Sequence, residues 1–314
     1  MFSKGIKIGN ITTKNNVFVA PLAGFSDSSF RSICYSLGAG LCFTEMVSMK
    51  GLKYSSCETK NLLATEENEY LKAVQIFGND VDIMAEMAKS EYLDKFDIID
   101  INMGCPVTKI YSNGEGSALL KNLPLASKII EGVSKSGKIV TVKFRIGLEE
   151  GNYITKDFSK MCEDSGAKLI TIHGRVKTAI YSGECNYKQI EIAKNSVKIP
   201  VIANGGIFTK QDAINMINNT GADGIMLARG VLENPLLISD ILSLQPKFTL
   251  KELILKQIDM TASKYGDNRS AVILRKQLAY YLKGVKNSKK LKQEIFTINS
   301  AEKMKQLFID SNIF

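Results

Sequence analysis

Eight short apolar segments, rich in β-branched residues, recur along the first 230 residues of this 314-residue chain. Each is followed by turn residues and then by a helical spacing of apolar residues, and two of these helical stretches, DVDIMAEMAKSEYL and TKQDAINMINN, open on a capping Asp or Thr. Apolar strands that alternate with helices indicate parallel strands buried on both faces. The pattern therefore predicts an α/β fold, a (β/α)8 TIM barrel. The segments are NVFVAPLAG, LCFTEMV, KAVQIFG, DIIDINMG, KIVTVKFRIG, AKLITIHGR, IPVIANGG and DGIMLARG.

A doubly wound parallel sheet is the alternative arrangement of alternating strands and helices. Its dinucleotide-binding form carries G-x-G-x-x-G after the first strand, and this motif is missing there. After Leu244 the alternation stops, and four segments with helical spacing follow without a strand between them. We therefore predict a barrel at residues 1–244 and a small all-helical C-terminal domain at residues 245–314.

The positive charge of the chain lies almost entirely in its C-terminal part. Residues 245–314 contain 14 Lys or Arg against 6 Asp or Glu, whereas the rest of the chain contains 27 against 26. A general bias toward lysine would act on both parts. The asymmetry predicts a polyanionic partner for the C-terminal domain, and nucleic acid is the first expectation.

A helix running from Arg275 to Lys290 would place its lysines on one basic face. A solvated face without a partner is the plainer alternative. Tyr280 and Tyr281 beside this face fit either the core or a stacking contact with RNA. The candidate residues for RNA binding are Arg275, Lys276, Lys283, Lys286 and Lys290.

The cysteine pattern excludes two common classes of small protein site. Six cysteines without a C-x-x-C pair, and a single histidine, argue against a disulfide scaffold and against a zinc site.

No apolar run approaches the roughly 20 residues of a membrane span, and a secretory signal is missing at the N-terminus. We expect a cytoplasmic protein that binds neither metal nor membrane, with no obligate protein partner evident.

Cys105 differs from the other cysteines because it ends a strand in DINMGCP, between a glycine and a proline. Residues at the C-terminal ends of barrel strands carry the chemistry of this fold. These ends are unusually polar here and hold three of the six arginines and the only histidine. A single polar residue there is more often a structural hydrogen bonder, so the argument rests on the cluster. It comprises Gln75, Asn102, Cys105, Lys143, Arg145, His173, Arg175, Asn204 and Arg229.

Two features of the cluster predict an anionic ligand. Lys143 and Arg145 alternate with Phe144 and therefore share one face of their strand. If that face points inward, the two cations imply an anionic ligand or carboxylate partners, and we favour the ligand. The glycine-containing ends ANGGIFTK and MLARGVLENP, after strands seven and eight, are typical of a phosphate site that uses backbone amides and Arg229.

The chain resembles the tRNA-dihydrouridine synthases, and most closely their bacterial DusB-type branch. The resemblance runs from about residue 10 to about residue 290. The N-x-G-C-P segment, H-G-R and the late R-K-x-x-x-x-Y are specific as a set. They occur here in VAPLAGFSDSSFR, DINMGCPVTKI, VKFRIG, ITIHGR, VIANGGI, MLARG and RKQLAYYLKG, in the family's order.

This resemblance implies an FMN-binding barrel with a helical tRNA-binding domain, which reduces the C5=C6 bond of specific tRNA uridines with NADPH (or NADH) as electron source. It implies hydride transfer from reduced FMN to C6 of the uracil and a proton from Cys105 to C5. Asn102, Lys143, Arg145 and His173 would orient the base and stabilise the developing oxygen charge. No other cysteine is expected near these side chains.

The cofactor contacts also follow from the resemblance. Pro21, Leu22 and Ala23 would touch the flavin, Gln75 and Lys143 would hydrogen-bond its ring system, and His173 would support both flavin and uracil. Where many members have Gly-Arg this chain has Ala228-Arg229, and Gln277 replaces a frequent His in the helical domain. The phosphate would be held by Asn204, Gly205, Gly206, Ala228 and Arg229.

Two alternatives stay open at this point. A dihydroorotate-dehydrogenase-like flavin enzyme carries a similar N-x-S-C-P segment but would not need a basic helical domain. A barrel without catalytic activity could serve as an RNA-binding scaffold. Binding of FMN would distinguish an enzyme from an RNA-binding scaffold. The substrate that accelerates the oxidation of NADPH would distinguish uridine reduction from dihydroorotate-dehydrogenase-like chemistry.

Overall fold

In the computed structural model of the chain, residues 1–311 and 313 are described, and each of the eight predicted apolar segments contains a barrel strand. The described strands are β1 Lys7–Ile8, β2 Ile11–Thr12, β3 Val17–Val19, β4 Leu41–Ser48, β5 Ala73–Phe77, β6 Ile98–Met103, β7 Ile139–Arg145, β8 Gly147–Glu149, β9 Asn152–Tyr153, β10 Ile170–His173, β11 Val201–Asn204 and β12 Gly224–Leu227. Eight of them, β3 to β7 and β10 to β12, are parallel and form a closed barrel. The predicted TIM barrel is confirmed. Two short antiparallel hairpins, β1–β2 and β8–β9, were not predicted.

Helices follow the barrel strands, and the two N-terminal caps that the sequence indicated are present. Asp80 accepts a hydrogen bond from the Ile83 amide at 3.0 Å, and Thr209 forms a capping box with Asp212. Two 3₁₀ helices lie at Glu91–Leu93 and Gly116–Lys121. The α-helices of the barrel are α1 Ser28–Ser36, α2 Met49–Lys53, α3 Cys57–Asn61, α4 Val81–Met87, α5 Thr108–Ser112, α6 Leu123–Ser134, α7 Thr155–Asp164, α8 Tyr187–Lys194, α9 Lys210–Thr220, α10 Arg229–Glu233 and α11 Leu237–Ile241.

The inside of the barrel changes from apolar to polar along the strands. Phe18, Phe43 and Ile98 fill the end where the strands begin, and Ile6 and Ile8 beside the β1–β2 hairpin pack against them. Side chains alternate across a strand, so every second residue of β6 points into the barrel. The inward residues of β6 are therefore Ile98, Asp100 and Asn102, which places polar groups toward the mouth.

In the described part of the chain four helices follow the barrel, as predicted. They are α12 Leu250–Tyr265, α13 Asp267–Tyr281, α14 Lys289–Thr297 and α15 Ala301–Asp310. The predicted continuous helix from Arg275 to Lys290 is wrong, because α13 ends at Tyr281 and α14 begins at Lys289. Gly284 and Asn287 have φ angles of +82° and +59°, which an α-helix does not accommodate. The lysines of this region consequently lie on two helices and a turn.

The C-terminal helices pack on the barrel through α12 against α1 and α13 against α10. Leu253 and Leu278 belong to the same apolar core as Phe30 and Ile33 of α1. The division into domains at residues 244 and 245 stays a prediction, and residues 312 and 314 of the predicted helical domain lie outside the described residues. None of the described helices is both long and apolar enough to cross a membrane.

Candidate active site

A cavity of about 630 Å³ opens at the mouth of the barrel, where the strands end. Every residue predicted for catalysis or for cofactor binding lines it. The set is Pro21, Leu22, Ala23, Gln75, Asn102, Cys105, Lys143, Arg145, His173, Asn204, Gly205, Gly206, Ala228 and Arg229. The structure therefore brings together residues that are spread over more than 200 positions of the sequence.

The register of the parallel strands explains why these side chains converge. Asn102 of β6 lies beside Lys143 of β7, and Arg145 of β7 lies beside His173 of β10. His173 in turn lies beside Asn204 of β11. Lys143 and Arg145 both line the cavity, so the face that they share points inward. Neighbouring strand ends thus supply an uninterrupted row of polar groups.

The loop that carries Cys105 is held by hydrogen bonds at both of its ends. The amides of Gly104 and Cys105 donate to Asn102 Oδ1 at 3.1 Å and 2.9 Å. The carbonyl of Cys105 accepts from the hydroxyl and the amide of Ser117 at 2.8 Å and 3.1 Å. A Cβ atom at Gly104 would lie 3.2 Å from Phe144 Cα, so a larger residue would require the loop or β7 to shift by a few tenths of an ångström.

The thiol of Cys105 holds its proton at neutral pH. Burial raises its pKa above the ordinary value, and the amide of Val107 and the charge of Arg145 oppose this only in part. A thiol in this state can donate a proton to a ligand in the cavity.

Two cations lie on the cavity wall, and the only carboxylate whose charge raises the pKa of either is Asp100, which acts on Lys143 without forming an ion pair among the described residues. Lys143 Nζ donates to Asn204 Oδ1 at 3.0 Å, and burial together with the charge of Arg145 lowers the pKa of Lys143 to about 8. Arg145 donates to the carbonyls of Gly104 and Val176, both at 3.0 Å, and burial lowers its pKa to about 10. Neither forms an ion pair within the described residues, which favours an anionic ligand over carboxylate partners.

His173 is a neutral imidazole in this setting. Burial lowers its pKa well below the ordinary value, and the charges of Lys143, Arg145, Arg175 and Arg229 lower it further. Arg175 Nη1 lies 3.4 Å from His173 Nε2. The imidazole can therefore offer one hydrogen-bond donor and one acceptor and carries no charge of its own.

One end of the cavity has the features of an anion site. Gly205 and Gly206 have φ angles of +127° and +69°, and a Cβ atom at Gly205 would lie 3.0 Å from His173 Cδ2. Arg229 lies between the rings of Tyr181 and Phe208, with its guanidinium carbon 5.0 Å and 5.6 Å from their centroids. Gly205, Gly206 and Arg229 all line the cavity, as a phosphate site built from a glycine loop and an arginine requires.

Sequence reasoning missed several residues of this site. Arg175 was noted at a strand end without a role, and it donates to the carbonyls of Ser182 and Gly183 at 3.1 Å and 2.8 Å, which fixes the loop carrying Tyr181. Tyr181 and Phe208 lie on loops, where no periodic pattern marks a residue as functional. Asp100 lies below the cavity floor, and its alternation with Asn102 was the signal that could have found it.

The expectation that no other cysteine lies near these side chains is wrong. Cys185 Sγ packs against Gly205, on the side where His173 and Arg175 lie. It does not line the cavity, and burial raises its pKa to about 11. Cys34, Cys42 and Cys162 fill the core as expected, whereas Cys57 is exposed. Among the described residues no group of His, Cys, Asp and Glu could hold a metal ion.

The residues predicted to bind RNA lie outside the cavity. Arg275 donates to the carbonyl of Ile298 at 3.0 Å and so fixes the connection between α14 and α15. Lys283 pairs with Glu233 of α10 at 2.6 Å, and Lys290 lies 3.7 Å from Glu294. Lys276 and Lys286 are exposed.

The aromatic residues of α13 separate into two roles. Tyr281 is core, because it is buried and its hydroxyl donates to Gln257 at 2.7 Å and accepts from Gln277 at 3.0 Å. Gln277 is itself buried, which explains why this position offers no exposed side chain to a partner. Tyr280 lines the cavity and meets the Phe25 ring edge-on, with centroids 5.4 Å apart. The C-terminal helices therefore contribute directly to the cavity wall.

Comparison with solved structures supports the barrel fold. The chain matches histamine dehydrogenase from Rhizobium sp. 4-9 with a TM-score of 0.58 and 14% identity, over 82% of this chain and 51% of that one. It matches 6-hydroxypseudooxynicotine amine oxidase from Pseudomonas geniculata N1 with a TM-score of 0.61 and 14% identity, over 77% and 49%. The chain thus spans about half the length of each, and the likeness concerns the fold.

Comparison of sequences adds the family. The chain is 38% identical to tRNA-dihydrouridine synthase B of Pasteurella multocida over 89% of its length and 87% of the relative's. It is 37% identical to a probable tRNA-dihydrouridine synthase of Rickettsia prowazekii over 90% of both chains. The dihydrouridine synthase family model matches residues 18–312. These matches confirm the resemblance read from the motifs, and the chain belongs to the dihydrouridine synthase family.

Proposed function

We propose that the protein reduces the C5=C6 double bond of uridines in tRNA to 5,6-dihydrouridine, with FMN as cofactor and NADPH or NADH as electron donor. The observation that carries the proposal is the protonated Cys105 thiol at a cavity mouth that also holds Lys143, Arg145 and a neutral His173. Such a site can give a proton to one atom of a ring and stabilise negative charge on its oxygens. Curated relatives of the chain are named for this reaction on tRNA.

The residues of the cavity fit FMN. The positive φ angles of Gly205 and Gly206 leave a side-chain-free loop beside Arg229, as a phosphate group requires. Lys143 and Gln75 also line the cavity and offer N–H donors for a flavin ring, while Pro21, Leu22 and Ala23 offer an apolar edge. When bound and reduced, FMN would supply the hydride that adds to C6 of the uracil.

Cys105 would act as the general acid that protonates C5. Its raised pKa keeps the proton on sulfur until the substrate needs it. Lys143, Arg145 and Asn102 would offer hydrogen bonds to the carbonyl oxygens of the base, on which charge develops as the double bond is reduced. His173 would contribute a neutral donor, which positions the base without adding a charge.

The C-terminal helices would hold the tRNA. A stacked uridine must be turned out of the RNA to reach the cavity, at a cost of a few kcal/mol. Phosphate contacts from the exposed Lys276, Lys286 and Lys290, together with Arg275 and Lys283, would offset this cost. We place the reaction in the cytoplasm, with tRNA as the macromolecular partner.

A cofactor and substrate assay tests the proposal. Purified protein loaded with FMN is expected to oxidise NADPH faster when tRNA lacking dihydrouridine is added, and the tRNA is expected to gain dihydrouridine. Dihydroorotate or fumarate should leave the rate unchanged. Acceleration by those compounds and not by tRNA would favour dihydroorotate-dehydrogenase-like chemistry, and a protein that cannot be loaded with FMN would favour an RNA-binding scaffold.

A further inference from the structure

A chain of buried hydrogen bonds runs beneath the cavity and ends at the loop of Cys105. Thr141 Oγ1 and Gln75 Nε2 donate to the two carboxylate oxygens of Asp100 at 2.6 Å and 2.7 Å. Asn102 Nδ2 donates to Gln75 Oε1 at 2.8 Å. Asn102 Oδ1 accepts from the amides of Gly104 and Cys105. Asp100 is thereby connected to the thiol loop through two side-chain amides.

The direction of every bond in this chain is dictated by its two ends. Backbone amides can only donate, so Asn102 must turn its oxygen to the loop and its NH₂ group to Gln75. A carboxylate can only accept, so Gln75 must turn its NH₂ group to Asp100 and its oxygen to Asn102. The two ends require the same orientation of both amides, and Asp100 secures that orientation from the side opposite the loop.

Asp100 forms no ion pair within the described residues, although its charge and that of Lys143 favour each other. It is fully buried, and within the described residues no Lys or Arg donates to it. Burial raises its pKa to about 6, against the hydrogen bonds from Thr141 and Gln75 and the charge of Lys143, which lower it. A carboxylate in this position is costly, and a neutral apolar residue would pack more readily against the layer that contains Ile98 and Phe43.

We propose that Asp100 is a positioning residue that sets the orientation of the Gln75 and Asn102 amides and so holds the loop of Cys105 against the cavity. The importance of that loop rests on the proposed function, whereas the orientation itself can be measured without tRNA or cofactor. Asp100 does not touch the cavity and acts through Gln75 and Asn102.

Exchanging the carboxylate of Asp100 and the amide of Asn102 tests the orientation of Gln75 directly. Asn102→Asp alone leaves a carboxylate on each side of Gln75. The Gln75 NH₂ group can donate to only one of them, so the Gln75 oxygen faces the other without a donor. The melting temperature of this variant at pH 8 should therefore fall by about 4 °C or more. Asp100→Asn added to it restores one carboxylate and one amide in reversed order, and most of the loss should be recovered. The loss in Asn102→Asp should also shrink at pH 5.5, because a protonated carboxyl can donate to Gln75.

Additive losses in the double variant, or a loss in Asn102→Asp that does not depend on pH, would overturn the proposal. If Asn102→Asp does not fold, folding of the double variant is the expected rescue, and its failure to fold counts against the proposal.

The effect on the loop is measured by alkylation of Cys105 with iodoacetamide in the full-length protein. Asp100→Leu should free the Gln75 amide and raise the alkylation rate of Cys105 about fivefold, while the exposed Cys57 in the same sample serves as reference. Thr141→Val is the matched control, since it removes the other donor to Asp100 and leaves the Gln75 bond. Equal rates at Cys105 in the two variants would show that Asp100 does not hold the loop. If the stability and alkylation results are as expected but the wild-type protein does not reduce tRNA, the proposed reaction is rejected and the positioning role of Asp100 stands.

Discussion

The barrel mouth and the C-terminal helices both carry clustered polar residues, and they arrange them in opposite ways. At the mouth, Lys143, Asn204, Asn102 and Gln75 are tied into hydrogen bonds of 3.0 Å or less with other protein atoms. In the C-terminal region, Lys276 and Lys290 on the helices and Lys286 in the turn between α13 and α14 project into solvent, and the ion pairs nearby are at the surface. The first region is preorganised and the second is adaptable.

This difference follows from what each region is proposed to bind. Stabilising charge in a transition state needs donors that are already in place, because reorganising them during the reaction would raise the barrier. Holding an RNA backbone needs charge near phosphates, which long solvated side chains supply with little geometric demand. Substitutions at the mouth should therefore have large and specific effects, whereas those on the helices should have small and cumulative effects.

The largest effect is expected for Cys105→Ala. The variant should bind FMN and be reduced by NADPH at the wild-type rate, but form dihydrouridine at least about 100-fold more slowly, because the general acid is lost. Cys57→Ala, an exposed thiol outside the cavity, is the matched control and should behave as wild type. Turnover within about threefold of wild type in Cys105→Ala would remove the acid role.

Arg229→Ala should weaken FMN binding by about 10- to 100-fold, since a charge-assisted contact to phosphate contributes roughly 1.5–3 kcal/mol. Titration of the apoprotein with FMN, followed by flavin fluorescence, measures this. Arg269→Ala removes an exposed arginine of α13 and should leave the affinity unchanged. Equal affinities in the two variants would place the phosphate elsewhere in the cavity.

The affinity for FMN should also fall as the pH rises above about 8. Lys143 in the free protein has a pKa of about 8, and the acceptor atoms of the flavin ring, with the more distant charge of the phosphate, favour its charged form, so binding takes up a proton above that pH. The decline is at most about tenfold per pH unit. Lys143→Met should bind more weakly at pH 7 and lose this dependence. An affinity that is the same at pH 7 and pH 9 in the wild type would contradict the proposed contact.

Tyr280→Ala tests where the two regions meet. If the ring helps to hold the extruded nucleotide, kcat/KM for tRNA should fall by about tenfold, in line with roughly 1–3 kcal/mol for stacking on one aromatic residue, while reduction of FMN by NADPH is unchanged. Phe296→Ala, an exposed aromatic residue of α14, is the control. A loss of FMN reduction in Tyr280→Ala would show that the ring supports the cofactor instead.

The smallest effects are expected for single lysines. Lys286→Ala should weaken tRNA binding by only a few-fold and reduce the slope of log K against log salt by about 0.7 to 0.9. Arg275→Ala should lower thermal stability as well as tRNA affinity, because Arg275 also holds the carbonyl of Ile298. A tenfold loss of tRNA affinity from Lys286→Ala alone would contradict the comparison, because it would mean that a single lysine of the C-terminal region contributes as much to binding as a residue of the barrel mouth.

Sequence and structure agree best where a residue's position follows from the strand pattern. His173 and Asn204 end their strands, Asn102 and Lys143 lie one and two residues before the end, and Gln75 lies in the middle of β5; the parallel register brings all five together. Asp100 escaped prediction because a buried carboxylate is recognised by its partners on β5 and β7, which depend on strand register. Cys185 and Tyr181 belong to a loop whose path is set by hydrogen bonds of Arg175, and no local pattern encodes them. The break between α13 and α14 was visible in the sequence as Gly284, and the spacing of the lysines concealed it.

The most direct test of the account is the reoxidation of reduced flavin by tRNA in the absence of oxygen. Protein loaded with FMN and reduced with one equivalent of NADPH should regain its oxidised absorption spectrum when tRNA lacking dihydrouridine is added, with one dihydrouridine formed for each flavin oxidised. The same mixture with tRNA that already carries its dihydrouridines should stay reduced. A flavin that stays reduced with both tRNAs would contradict the assignment of the barrel mouth to uridine reduction.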